Sequence, residues 1–226
     1  MFSFKRKCWI PAILVMLLPT ACDKGPAQQQ NNLSQLREQL NDRDAAVQSA
    51  AVKAIAELGP GAVSAVPDIV QMLKNGETAE VRSLAAYALG RIGPAAKEAV
   101  PALLEALGDN EMTVRSRTAI ALGSIGCSPE RTVPALSKAL QDKAFTVRNA
   151  AAFALGMLGS SAKEAVPGLI KALQDENDLV RNSAAGALGR IGPDAKEAIH
   201  ALTLALQDDA EVLRQSAAEA LEKIKQ

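Results

Sequence analysis

Residues 147–159 read VRNAAAFALGMLG. Near-copies stand at 81–93 (VRSLAAYALGRIG), 114–126 (VRSRTAIALGSIG) and 180–192 (VRNSAAGALGRIG). Val81, Val114, Val147 and Val180 follow one another at intervals of 33 residues, and Leu213 continues the step. Val47 lies 34 before Val81, with one extra residue near KNGETAE. A fixed period of this length marks a stack of repeated units rather than a single closed core.

With Val147 as position zero, apolar or Ala residues recur at +4, +7, +8 and +11: Ala151, Ala154, Leu155 and Leu158. At ~100° per residue they fall on one helix face. Gly159, like Gly93, Gly126 and Gly192, follows the last turn, where glycine accepts the left-handed backbone that ends a helix. Pro94 and Pro193 then bar continuation. A second helical half in each unit reads AVPALLEAL (99–107) or AVPGLIKAL (165–173). Its Pro67, Pro101, Pro134 and Pro167 sit near the start, where a missing N–H costs no bond, and His200 takes that slot in the last copy. Gaps of two to six polar residues predict antiparallel neighbours. Position +9 holds Ala56, Gly90, Gly123, Gly156 and Gly189, then Glu222. A small residue there admits the next unit, whereas Glu222 and the polar EALEKIKQ suit a terminal cap, with LSQLREQLND as the opposite one. The reading is an all-α solenoid of about six helix pairs over residues 33–226.

The 226 residues carry a formal net charge of zero, so nothing points to a nucleic-acid partner. Aromatics make up 3% of the chain, which suits small-residue helix packing and is poor for strands. The lone His200 and the cysteines Cys8, Cys22 and Cys127 make no zinc spacing and no CxxC pair. There is no GxSxG elbow and no GxxxxGK[ST] phosphate loop. Cys127, in the turn GCSPE, reads as an isolated thiol, with a disulfide-linked dimer as the alternative. Asp109, Asp142, Asp175 and Asp208 precede Arg115, Arg148, Arg181 and Arg214 by six residues each. Asp42 with Gln48, and Asn75 with Arg82, hold the same slots in the first two copies. Aspartate at a helix start accepts backbone N–H bonds. The arginine can reach an aspartate of its own or the adjacent repeat. The set is therefore a structural ladder, each exposed pair contributing ~0.3–1 kcal/mol. Identical recurrence argues against a catalytic role for it.

The N-terminus is a separate region. MFSFKRK carries Lys5, Arg6 and Lys7 and no acid, and CWIPAILVMLLPTA is apolar. This is the pattern of an export signal, residues 1–21, and the run is too short and too interrupted by Pro11 and Pro19 for a spanning helix. LLPTAC resembles the bacterial lipobox, with Pro19 where that family usually has Leu. The resemblance implies a lipidated Cys22; cleavage after Ala21 without lipid, or an uncleaved anchor, are the alternatives. Residues 22–32, CDKGPAQQQNN, read as a lipid-anchored flexible tether. Loss of residues 1–21 leaves 22 Lys and Arg against 25 Asp and Glu, a net −3. The expected location is the bacterial cell envelope, held to a membrane by the N-terminal lipid and facing the periplasm or the exterior. Asp23 resembles the inner-membrane retention residue of enteric lipoproteins, a rule that is not general, so inner against outer membrane stays open.

The pattern D-x5-VR-x2-AA-x-ALG-x-[IL]G, with AVP-x-L-x-x-AL, resembles the HEAT repeats of the phycobilisome-lyase-like class over residues 33–226. The resemblance implies a right-handed α-solenoid with the VR helices on its concave side. It also implies a scaffold or a peptide- and protein-binding surface. Two enzyme types share these repeats. The bilin lyases act on cytoplasmic antenna proteins, which conflicts with export. The deoxyhypusine hydroxylases, oxidoreductases, hold two irons with His-Glu pairs, which His200 followed by Ala201 does not supply. The expectation is a non-catalytic scaffold without cofactor, metal or small-molecule substrate. Its expected partner is an unidentified envelope protein or peptide, and an enzyme of either type is the rival.

One column varies freely. Position +6 holds Lys53, Tyr87, Ile120, Phe153, Gly186 and Glu219. It lies at ~240°, nearly opposite a packing face centred near ~20–30°. On the same side, +3 holds Ala50, Leu84, Arg117, Ala150, Ser183 and Ser216, and +10 holds Glu57, Arg91, Ser124, Met157, Arg190 and Lys223. Leu84, Tyr87, Ile120, Phe153 and Met157 would form an apolar strip of ~20 Å, flanked by Arg91, Arg117 and Arg190. Aromatic, Met and Arg side chains are enriched in binding hot spots. The alternative is that repeat packing covers the strip and Ile120 merely packs on Phe153. Phe145, near a helix start, is read as a plug at the solenoid edge.

Overall fold

A computed structural model describes residues 26–226. The signal segment 1–21, Cys22 and the first residues of the tether lie outside the described residues. The helices form six pairs: α1 (Pro26–Gln39) with α2 (Ala45–Leu58), α3 (Val66–Asn75) with α4 (Ala79–Ile92), and α5 (Val100–Ala106) with α6 (Met112–Ile125). They continue as α7 (Pro129–Ala139) with α8 (Phe145–Leu158), α9 (Val166–Ala172) with α10 (Asp178–Ile191), and α11 (Ile199–Ala205) with α12 (Glu211–Lys225). The described residues contain no strand, and none of their helices is long and apolar enough to cross a membrane.

Helix α1 begins at Pro26, so it takes in residues 26–32 of the segment read from sequence as a flexible tether. Proline is at home in a first turn, and Ala and Gln are good helix formers, which the polar composition masked.

The even-numbered helices, which carry the VR motif from α4 to α10, stack side by side in one layer. The odd-numbered helices form the other layer and touch one another far less. Close spacing in one layer and wide spacing in the other bend the stack toward the VR layer. Between the layers, one large side chain recurs per unit on each side. Ile55, Leu89, Leu122, Leu155 and Leu188 come from the VR layer and Ile69, Leu103, Leu136, Leu169 and Leu202 from the other, all fully buried. Each such side chain contributes ~1.5–3 kcal/mol by leaving water.

Position +9 is where neighbouring VR helices meet. A Cβ added to Gly123 would stand 2.8 Å from the Ala154 Cα, and one on Gly90, Gly156 or Gly189 would stand 3.0, 3.0 or 2.9 Å from the Cα of Ala121, Ala187 or Ala220. Glycine is required because backbone meets backbone there.

The connections differ from the polar gaps read from sequence. After α2, α4, α8 and α10 the chain runs straight into a seven-residue 3-10 segment, such as Gly93–Ala99, whose Ala96 and Ala99 are buried. Gly59, Gly93, Gly159 and Gly192 do have positive φ, but with ψ between −131° and −143°, which is not the left-handed helical conformation expected. Only Gly126 among these caps adopts it. The reason is the next segment: the tight 3-10 turn needs the chain to reverse at the glycine, whereas after Gly126 the chain leaves through Cys127 and Ser128. This third connection also lets α7 start early, at Pro129, so Pro134 lies inside the helix rather than near its start.

Candidate functional site

The VR layer has a free side. Tyr87, Ile120, Phe153 and Met157 are 41%, 39%, 41% and 41% exposed there. Leu84, assigned to the same strip, is not: only 5% of it is exposed. The cause is the neighbour in the stack. Position +3 of each VR helix meets position +2 of the preceding one. The Ser183 hydroxyl donates to Asn149 Oδ1 (2.7 Å), the Ser216 hydroxyl to Asn182 Oδ1 (2.7 Å), and Arg117 Nη1 to Ser83 Oγ (3.4 Å). The +3 column is therefore a seam, half-open at Arg117, and the exposed apolar side chains of this side stand at +6 and +10. Phe145, read as an edge plug, is exposed at the start of α8.

The arginines do not merely flank the strip; they lie on its rings. The Arg91 guanidinium sits 5.8 Å from the Tyr87 ring centre, and the Arg117 guanidinium, from the next repeat, sits 5.7 Å from it. Arg91 also donates to the Tyr87 hydroxyl at 2.9 Å. The Arg190 guanidinium sits 5.4 Å from the Phe153 ring centre. Such contacts contribute ~0.5–1 kcal/mol at exposed sites and hold the guanidinium in place. Spacings of four residues within a helix, and of 30 or 37 between neighbouring helices, put these groups together. The +2 residues Ser83, Asn149 and Asn182 went unrecognised; the 34-residue offset to their +3 partners was the available signal.

The second constellation runs along one edge, where the VR helices begin. Arg82, Arg115 and Arg148 each grip the aspartate of the next repeat with two bonds. The distances are 2.8 and 3.1 Å to Asp109, 2.8 and 2.9 Å to Asp142, and 2.7 and 2.8 Å to Asp175. Arg181 makes one bond to Asp208, at 3.1 Å, and its Nε has no partner. In the other direction each Nη1 bonds to the backbone of its own repeat, as Arg115 does to the Asp109 carbonyl at 2.8 Å. Arg214 makes only the backbone bonds, to the Asp208 and Asp209 carbonyls. Each aspartate also accepts the N–H two residues on, within the loop before the helix. The expected bond to the helix's own first turn is absent, because the aspartate stands two residues before the cap.

These pairs are largely shielded from solvent. In the Arg115–Asp142 pair the side chains are 7% and 16% exposed. The four carboxyls are held below the ordinary carboxylate range. For Asp142 the Arg115 hydrogen bond is the largest cause. For Asp208 it is the Ala210 N–H. For Asp109 and Asp175 burial is the largest single influence and pushes upward. The Arg82 or Arg148 hydrogen bond, the backbone N–H of Glu111 or Asn177 and the arginine charges together outweigh it. Arg82, Arg115 and Arg148 are raised in turn, chiefly by the aspartate hydrogen bond.

Cys127 is a half-buried free thiol that donates to the Ile125 carbonyl. His200 is exposed in the first turn of α11. Among the described residues no three His, Cys, Asp or Glu side chains are grouped to hold a metal ion.

The profile of the HEAT repeats matches residues 33–123, 66–156 and 133–222. No curated protein matches the chain. Among solved structures, an engineered protein is 26% identical, with a TM-score of 0.66 over 86% of this chain and 97% of its own. A designed armadillo repeat protein in complex with the peptide (KR)4 is 22% identical, with a TM-score of 0.69 over 85% of this chain and 99% of its own. The complex of CpcE and CpcF of phycocyanin lyase, from Nostoc sp., is 27% identical, with a TM-score of 0.56 over 70% of this chain and 98% of its own.

Proposed function

Because the chain belongs to the HEAT-repeat family, we propose that it is a non-catalytic interaction scaffold whose open VR face binds a protein or peptide. The observation that carries the reading is the strip of Tyr87, Ile120, Phe153 and Met157. These large apolar side chains stay open past the first turns of the VR helices, whereas the other exposed apolar side chains of the layer, Met112, Phe145, Leu179 and Val212, stand in the first turns of their helices. The designed protein of this fold that holds a peptide supports it. The leader and LLPTAC support export and attachment of the scaffold to an envelope membrane through Cys22.

The test is co-purification from detergent-solubilised membranes. The triple variant Tyr87→Ala, Ile120→Ala, Phe153→Ala is expected to lose the proteins held by the wild type while keeping its helical circular-dichroism signal. An unchanged set of co-purifying proteins overturns the reading, and loss of helicity assigns the strip to packing instead. Cys22→Ala is expected to move the protein out of the membrane fraction.

The similarity to the lyase complex favours a second reading, an enzyme of the bilin-lyase type. A visible-absorbing chromophore carried by the purified wild type supports that reading. Bound iron would support the hydroxylase alternative.

A further inference from the structure

The arginines of this chain fall into two groups. Along the edge, Arg82, Arg115, Arg148 and Arg181 each have an aspartate. On the open face, Arg91, Arg117 and Arg190 have no carboxylate partner among the described residues. Their only described contacts are the Tyr87 and Phe153 rings, the Tyr87 hydroxyl and Ser83. A ring face does not neutralise a guanidinium. It fixes the plane and leaves most of the N–H edge free to meet a planar oxyanion.

In the centre of the face the charge has one sign. From α4 to α10 the columns +3, +6 and +10 carry these three arginines and no acid. The acids of this face lie at its ends, Glu57 in α2 and Glu219 in α12, and Glu80 is paired with Lys53. Lys53 and Lys223 stand in the same columns at those ends, so the ends are balanced and the unpaired positive charge is confined to the middle, where there is room for a short segment. The Tyr87 and Phe153 clamps are two helix spacings apart, roughly 16–20 Å, which is about six residues of extended chain. Ile120 lies on the helix between them.

We propose that this face recognises an extended acidic segment of a partner protein. Two carboxylate side chains about six residues apart engage the Arg91–Tyr87–Arg117 and Arg190–Phe153 clamps, and an apolar side chain between them rests on Ile120. The proposal rests on the reading of the strip as a binding face and adds the charge of what binds there.

Fluorescence anisotropy of the full-length chain tests it. The probe is a labelled peptide of about twelve residues with two Glu about six apart and Leu between them. The controls are the same peptide with Gln for Glu, a (KR)4 peptide, and phosphatidylglycerol vesicles. The Glu peptide is expected to bind at least about tenfold more tightly than the Gln peptide, with the difference shrinking as salt is raised. Arg91→Glu, Arg117→Glu and Arg190→Glu together are expected to transfer the preference to (KR)4. These side chains are open or half-buried, so folding is checked by an unchanged thermal midpoint. Equal affinity for the Glu and Gln peptides, no peptide binding, preference of the wild type for (KR)4, or binding to the vesicles alone each overturns the proposal. Co-purification lost in the Tyr87, Ile120 and Phe153 variant would persist in those cases, so a scaffold with another recognition chemistry is distinguished from no scaffold at all.

Discussion

Gly123 and Gly186 sit on copies of one helix two repeats apart and carry opposite consequences. An added methyl on Gly123 meets the Ala154 backbone at 2.8 Å, whereas one on Gly186 meets nothing within 4 Å. Gly123→Ala is therefore expected to lower stability by ~1–3 kcal/mol, because backbone cannot give way as a side-chain tip can. Gly186→Ala is expected to raise it by ~0.4–1 kcal/mol, by removing unfolded-state freedom at an open helical site. Thermal denaturation followed by circular dichroism reads both. The +9 glycine was legible in the sequence because a smallest residue recurred in one slot. Leu84 was not legible, because a helical wheel describes one helix in isolation. Its ~300° position is free on that wheel and closed by the helix beside it.

Each ladder arginine joins two units, with its own loop's carbonyls on one side and the next repeat's carboxylate on the other. Asp142→Asn keeps the shape and removes the charge facing a nearly buried Arg115. It is expected to cost ~1–3 kcal/mol, with a smaller effect for Asp208→Asn, where Arg181 makes a single bond. The pH dependence follows from the lowered carboxyl pKa values. Above the unfolded value of about 3.9 the stabilisation is complete. As pH falls, the unfolded chain takes up protons first, and the stabilisation is lost as pH drops through the lowered folded values. The thermal midpoint is expected to fall below about pH 4, and less steeply in Asp142→Asn. The six-residue spacing revealed that aspartate and arginine belong together, but not that the bond crosses to the next repeat. That choice depends on the separation of stacked helices, which no single copy encodes.

For the whole molecule, the period of the VR motif was enough to read the helix pairs and their stacking. The 3-10 connections were not readable, because GPAAKEA looks polar while its alanines dock against the layers. Every unit leans on the next, so the faces between units are as apolar as a core. Removal of residues 207–226 strips α12 from Gly189 and Leu188. The truncated chain is expected to associate at micromolar concentration, which size exclusion with light scattering detects. The glycine seams have a further effect on what can be recognised. Helices that touch backbone to backbone at these glycines keep their spacing when side chains of the open face are altered. The distance between the Tyr87 and Phe153 clamps is thus a ruler with fixed graduations: the letters read at each mark can be rewritten one residue at a time, but the marks themselves shift only when a whole repeat is gained or lost.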